Sequence, residues 1–320
     1  KPMFERVDAA RRPDSIVATV TSGISINALA AGRSESFRRN FLGLHFFNPP
    51  NVIVGTELIA GNDTDPAVVE FIEAFAQIRL GREMVRTKDT PAFAGNRVGF
   101  KVLNEVAQLA EEHGVAFMDA LIGPHTGRAM PPLATVDLVG WDVHKAIVDN
   151  VLANTQDEAN AAFAMPGYMS SLLAAGHMGN KTPAKGGFFR KVKDGKTTLT
   201  FVLDPKSGDY KPAAEVAPQP LEFVTEMQRL HRVGRYRQAM QIFLSAEGWE
   251  ADLMRKVILG YVSYGLNRVG EVVREPRDVD RIMGFGFNWA PPTVLADAMG
   301  VNETIAAIEK AGLAVPKVLT

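Results

Sequence analysis

The spacing of apolar positions changes character along this chain, and the elements follow from that spacing. Phe4, Val7 and Ala10 recur at helical intervals and Pro13-Asp14 closes the run, so the chain opens inside a helix. Residues 15–20 (SIVATV) form a short β-branched run bounded by turn residues, the pattern of a buried strand feeding a loop. Residues 26–32 (INALAAG) predict a short helix closed by glycine. Strands are expected over 41–47 and 54–60. Thr64-Asp65-Pro66 then starts a helix whose buried stripe is Val68, Val69, Ile72 and Phe75, and Gly81 ends it. Residues 83–87 return as a strand. Strands and helices in alternation predict an α/β sheet.

From Asn96 onward the periodicity is helical alone, with Leu103, Val106, Leu109 and Ala110 on one face. Residues 188–203 are expected to form a small hairpin with Asp194-Gly195 at its turn. Residues 205–220 hold four prolines and read as a linker. The second half repeats part of the first. Residues 118–140 (MDALIGPHTGRAMPPLATVDLVG) resemble residues 279–300 (VDRIMGFGFNWAPPTVLADAMG) at an offset of 160 or 161 throughout. Asp119, Gly123, Pro131-Pro132, Asp137 and Gly140 match Asp280, Gly284, Pro291-Pro292, Asp297 and Gly300. Two copies are too few for a solenoid, so a duplicated helical domain, its copies packed as a dimer would be, is the expectation.

Composition narrows the function. Lys plus Arg number 35 and Asp plus Glu 36, so no global field recruits nucleic acid. There is no cysteine, which removes disulfides, thiol catalysis and thiolate metal sites, and suits a reducing, cytoplasmic setting. No apolar run approaches the roughly 18 residues of a membrane span. No His, Asp and Glu spacing suggests a metal. Arg229, Arg232, Arg235 and Arg237 read as a solvated face, His125 as a loop residue, and Asp137 and Asp297 as helix caps.

One stretch calls for chemistry. "GLHFFNPP" (43–50) places His45 inside an apolar strand. If the flanking strands pair as a hairpin centred on Asn51, His45 stands opposite Glu57 with their Cβ atoms about 5 Å apart. A carboxylate there holds one imidazole nitrogen and leaves the other free as a base. The spacing alone leaves a structural histidine standing beside that reading.

"TSGISI", "GLHFFNPP", "TELI", "KDTPAFAGNR" and "GNKT…GGFF", in this order, resemble the L-3-hydroxyacyl-CoA dehydrogenase family of fatty-acid β-oxidation, in its long, multifunctional bacterial form. The resemblance implies the C-terminal part of a Rossmann-type sheet followed by two related helical domains. The boundaries would be 1–90 for the partial NAD-binding domain, 91–190 for the first helical domain, 191–220 for hairpin and linker, and 221–320 for the duplicate. It implies NAD as cofactor and an acyl-CoA substrate, with other β-oxidation enzymes or a fused enoyl-CoA hydratase domain as partners. It implies that His45 takes the proton of the 3-hydroxyl, that Glu57 orients it, and that Ser22 and Asn96 hydrogen-bond the substrate oxygen. Ser22, Asn48 and Lys181 would approach the cofactor. The chain departs from the family at Val20, where an asparagine is usual, and at Pro183-Ala184 beside Lys181. It holds no G-x-G-x-x-G turn, and the expectation is that it lacks the first half of its nucleotide domain. A rival of another class is a non-catalytic helical scaffold or dimerisation module.

Overall fold

The computed structural model describes residues 2–195 and 197–320, which fall into two compact units. The first holds the residues up to Arg97 together with Arg268–Thr293; the second holds Val98–Asn267 and Val294–Thr320. The first unit runs α1 (Pro2–Ala10), β1 (Val17–Thr19), α2 (Ile26–Ala30), α3 (Glu35–Arg39), β2 (Phe41–Phe46), β3 (Gly55–Ala60), α4 (Pro66–Leu80) and β4 (Glu83–Thr87). The strands form one sheet in the order β1-β2-β3-β4. β1 and β2 are parallel, β2 and β3 antiparallel, and β3 and β4 parallel.

Alternation along the strands builds a core on each face of this sheet. Phe41 and Ile59 join Ile26, Ala30, Phe37 and Phe93 on one side. Their neighbours Leu42 and Leu58 join Val69, Ala76 and Met84 on the other. Asp65 accepts from the Ala67 amide at 3.0 Å to cap α4, and Gly81 ends it in the left-handed region at φ 61°. Phe75 departs from the expected stripe: it is exposed and stacks on Phe71. The reason is that α4 carries apolar residues on nearly every side, and the sheet covers only the stripe through Val69 and Ala76.

The second unit takes in most of α5 (Gly95–His113), then α6 (Val115–Leu121), α7 (Pro132–Val139), α8 (Trp141–Asn154) and α9 (Gly167–Ala174). A sheet of β5 (Phe189–Asp194), β6 (Thr197–Leu203) and β7 (Tyr210–Pro212) follows. The expected linker is thus partly a third strand, paired through Phe201 and Pro212. Then come α10 (Glu222–Arg232), α11 (Tyr236–Ser245) and α12 (Trp249–Asn267). Of the arginines expected on a solvated face, Arg229 pairs with Glu226 and Arg237 with Asp297 at 2.6 Å, all four side chains exposed. His125 lies in a buried 3₁₀ turn rather than a loop, its Nε2 on the Leu121 carbonyl at 3.1 Å.

The last helices are α13 (Pro276–Phe285), α14 (Pro292–Met299) and α15 (Val301–Lys310), of which α13 belongs to the first unit. They show that the sequence repeat is also a repeat of local structure. Asp119 of α6 accepts from the amides of Leu133 and Ala134 in the first turn of α7. Asp280 of α13 accepts from the amide and hydroxyl of Thr293 in the first turn of α14. Gly140 and Gly300 end the second helix of each copy at φ 96° and 95°. The copies part at the next aspartate. Asp137 is buried and accepts from the amides of Phe188 and Phe189 and from Trp141 Nε1, all within 2.9 Å. It clamps the G-G-F-F segment and is no helix cap. Asp297 is exposed and meets Arg237.

His144 gives the second unit a pH dependence. Asn104 donates both amide hydrogens to the carbonyls of Ala162 and Ala164, so its Oδ1 faces His144 and accepts from Nε2 at 2.9 Å. Burial pushes the ring down to about 3 from an ordinary 6.5. The unfolded chain therefore binds the extra proton first, and stability is lost as pH falls from 6.5 toward about 3. Asp119 and Asp137, raised by burial to about 7 and about 6, act with the opposite sign, their contribution falling as pH rises above about 4. His144→Phe removes one side of this balance. Between about pH 7 and about pH 5 the variant should lose about 2 kcal/mol less stability than the parent. Urea unfolding at both pH values checks it.

Candidate active site

Pairing of β2 with β3 sets His45 opposite Glu57, the register expected from the hairpin centred on Asn51. Both side chains therefore lie on one face, His45 3% and Glu57 0% exposed. His45 Nδ1 and Glu57 Oε2 are 2.5 Å apart. The other carboxylate oxygen, Oε1, accepts from the backbone amides of Ala94 and Gly95 at 2.9 and 3.0 Å. Those two donors stand where α5 begins, a place whose free N–H groups and dipole favour an anionic partner. With Oε1 taken by fixed donors, Oε2 is left to accept from Nδ1–H. That bond assigns the ring its tautomer and leaves Nε2 with a lone pair.

The chain reaches this arrangement by way of a strained turn. Ala92 and Phe93 lie in the left-handed region at φ 62° and 56°, unusual for residues other than glycine. Both are fully buried, so packing holds the conformation. The Phe93 ring lies 5.7 Å from His45, and Phe47 meets the imidazole edge-on at 4.9 Å. Gly95 allows this, because a Cβ there would stand 2.7 Å from the Phe47 ring. These rings restrict water around the pair and fix the imidazole plane.

The open side of the imidazole faces Asn96. Asn96 Nδ2 lies 3.5 Å from His45 Nε2, too long for a strong hydrogen bond, and donates to the Ser22 carbonyl at 3.0 Å. The structure thus brings Ser22, Asn96, His45 and Glu57 into one connected set. Ser22 and Asn48 are exposed and follow the C-terminal ends of the parallel strands β1 and β2, where open α/β sheets receive their ligands. Lys181 belongs to the second unit, where its ammonium meets Asp142 Oδ1 at 2.7 Å. Among the described residues no group of three or more His, Asp or Glu is placed to hold a metal ion. Sequence reasoning missed the Ala94 and Gly95 amides. The K-D-T-P-A-F-A-G-N run was their only trace.

The first unit is thus a mixed, Rossmann-type sheet that bears a buried histidine–carboxylate pair at its open end. Residues 1–90 match the family model of the 3-hydroxyacyl-CoA dehydrogenase NAD binding domain, and residues 93–189 that of the 3-hydroxyacyl-CoA dehydrogenase C-terminal domain. The chain belongs to the 3-hydroxyacyl-CoA dehydrogenase family. It is 30% identical over 320 residues to a "Probable 3-hydroxyacyl-CoA dehydrogenase" of Bacillus subtilis, covering 99% of this chain and 39% of that protein. It is 33% identical to a protein of the same description from Deinococcus radiodurans, covering 68% of this chain and 63% of the relative. The chain thus spans less than two thirds of either. The crystal structure of 3-hydroxybutyryl-CoA dehydrogenase from Escherichia coli shares the fold, with a TM-score of 0.66 at 22% identity, over 99% of this chain and 77% of that one.

Proposed function

We propose that the chain carries the proton-transfer machinery of an NAD-dependent L-3-hydroxyacyl-CoA dehydrogenase. The observation that carries this reading is the His45–Glu57 pair, with Nε2 turned toward Asn96 and the Ser22 loop. A 3-hydroxyl placed at Nε2 gives up its proton to a ring already oriented through Nδ1, and Glu57 stabilises the imidazolium that results. Ser22 and Asn96 hold the same oxygen as it becomes a carbonyl. Bound NAD supplies the acceptor for the hydride that leaves C3. Ser22 and Asn48 are the residues assigned to its nicotinamide end, and Lys181 keeps a cofactor role only if its contact with Asp142 is exchanged.

The scaffold alternative is not favoured. A purely structural core has no use for a buried carboxylate held by two backbone amides against an imidazole, since burying such a charge opposes folding unless its partners compensate. The domain reading follows the same family logic: 1–90 for cofactor binding, 91–190 and 221–320 as related helical domains, and 191–220 as the connection. Fatty-acid β-oxidation, a fused hydratase activity and cytoplasmic residence belong to this proposal. No helix among the described residues is long and apolar enough to cross a membrane.

The test is direct. The intact protein should form NADH from NAD and an L-3-hydroxyacyl-CoA, and not from the D isomer. A series of acyl lengths would define the substrate range. No NADH from any member of the L series sinks the proposal.

A further inference from the structure

We infer that Asp89 is a positioning residue, and that it sets where the Ser22 hydroxyl stands relative to His45. The inference rests on the active-site reading above and adds a residue to it.

The segment from Val20 to Ser25 has little packing to hold it. Val20 and Ile24 are 65% and 59% exposed, and Ser22 is exposed between them. Its position therefore leans on hydrogen bonds, and at the end where it enters α2 four of these converge on one carboxylate. Asp89 Oδ1 accepts from the Ile26 amide at 2.8 Å. Oδ2 accepts from Ser25 Oγ at 2.8 Å, from the Asn27 amide at 2.9 Å and from Asn27 Nδ2 at 2.7 Å. Asn27 Oδ1 in turn accepts from the Asn62 amide at 2.7 Å, tying the same point to the turn after β3. The other end of the segment is held by Asn96, through the Ser22 carbonyl.

Asp89 and Asn96 lie on one connection, the run from β4 into α5. That run also delivers the Ala94 and Gly95 amides to Glu57. A single strained stretch of chain therefore fixes the base through Glu57, and fixes the loop bearing Ser22 through Asp89. The distance between base and hydroxyl is set by that shared support. Asparagine at position 89 keeps one acceptor oxygen and turns an NH₂ toward donors, so the loop loses its anchor while Glu57 and His45 keep theirs.

The test is a double-mutant cycle in the intact protein, read as kcat and KM separately. Asp89→Asn should lower kcat by about ten- to a hundredfold, the scale of a misplaced contact. In a Ser22→Ala background, where the positioned hydroxyl is gone, the same change should cost at least threefold less than in the parent, since coupled residues are not additive. Equal losses in both backgrounds would show a general structural role and overturn the inference, as would parental kcat in Asp89→Asn. If Asp89→Asn fails to fold, Ser25→Ala, which removes one of the four donors, is carried through the same cycle with the same criterion. His45→Gln separates the two levels. If it keeps turnover, the active-site reading itself fails. If it is inactive while Asp89→Asn is not, only the role of Asp89 falls.

Discussion

Replacing His45 with glutamine should lower turnover of a 3-hydroxyacyl-CoA by about 10²–10⁴ while leaving NAD affinity close to that of the parent. Glutamine fills similar space and can still meet Glu57, so the pocket between Phe47 and Phe93 should persist. What it lacks is a nitrogen that accepts a proton. The loss should therefore fall on kcat and kcat/KM together, the pattern of an interaction made only in the transition state. Steady-state kinetics with a separate NAD titration checks both halves of the statement.

The second large effect is expected at Glu57, and the geometry makes it larger than a simple weakening of the base. Glu57 Oε1 is committed to the Ala94 and Gly95 amides. In Glu57→Gln the amide oxygen must take that place, because an NH₂ group would face two donors. The NH₂ then faces His45 Nδ1 and donates to it. The ring responds by carrying its proton on Nε2, the nitrogen that should receive the substrate proton. Turnover should fall by about 10²–10³, with the fold retained, since the backbone contacts at Oε1 survive. A loss of less than about tenfold would mean that Glu57 does not set the tautomer. Circular dichroism beside the kinetics separates tautomer from unfolding.

The part of this site that lies on regular strands was legible in the sequence. His45 and Glu57 sit on two strands of period two, and a hairpin centre at Asn51 fixes which residues face each other. The resemblance added Ser22 and Asn96, and the structure joins them through one hydrogen bond. What stayed hidden depends on backbone atoms and on contacts distant in sequence. Ala94 and Gly95 act through amides, which leave no mark in residue type. The left-handed turn at Ala92 and Phe93 is unreadable because neither residue is glycine. Asp137 looked like a cap because its true partners, Phe188 and Phe189, lie about fifty residues away. Phe75 was misplaced because α4 is apolar on too many sides for its period to select a face. The strand Tyr210–Pro212 was lost in a proline-rich stretch, where an edge position tolerates proline.

His45 should stand with its proton on Nδ1 and its lone pair on Nε2, the nitrogen turned toward Asn96 and the Ser22 loop. ¹⁵N NMR of the intact protein, with labelled histidine and assigned by loss of the signal in His45→Gln, reads this directly. The expected result is a protonated Nδ1 hydrogen-bonded to a carboxylate and an unprotonated Nε2. A ring protonated on Nε2 in the parent protein would contradict it.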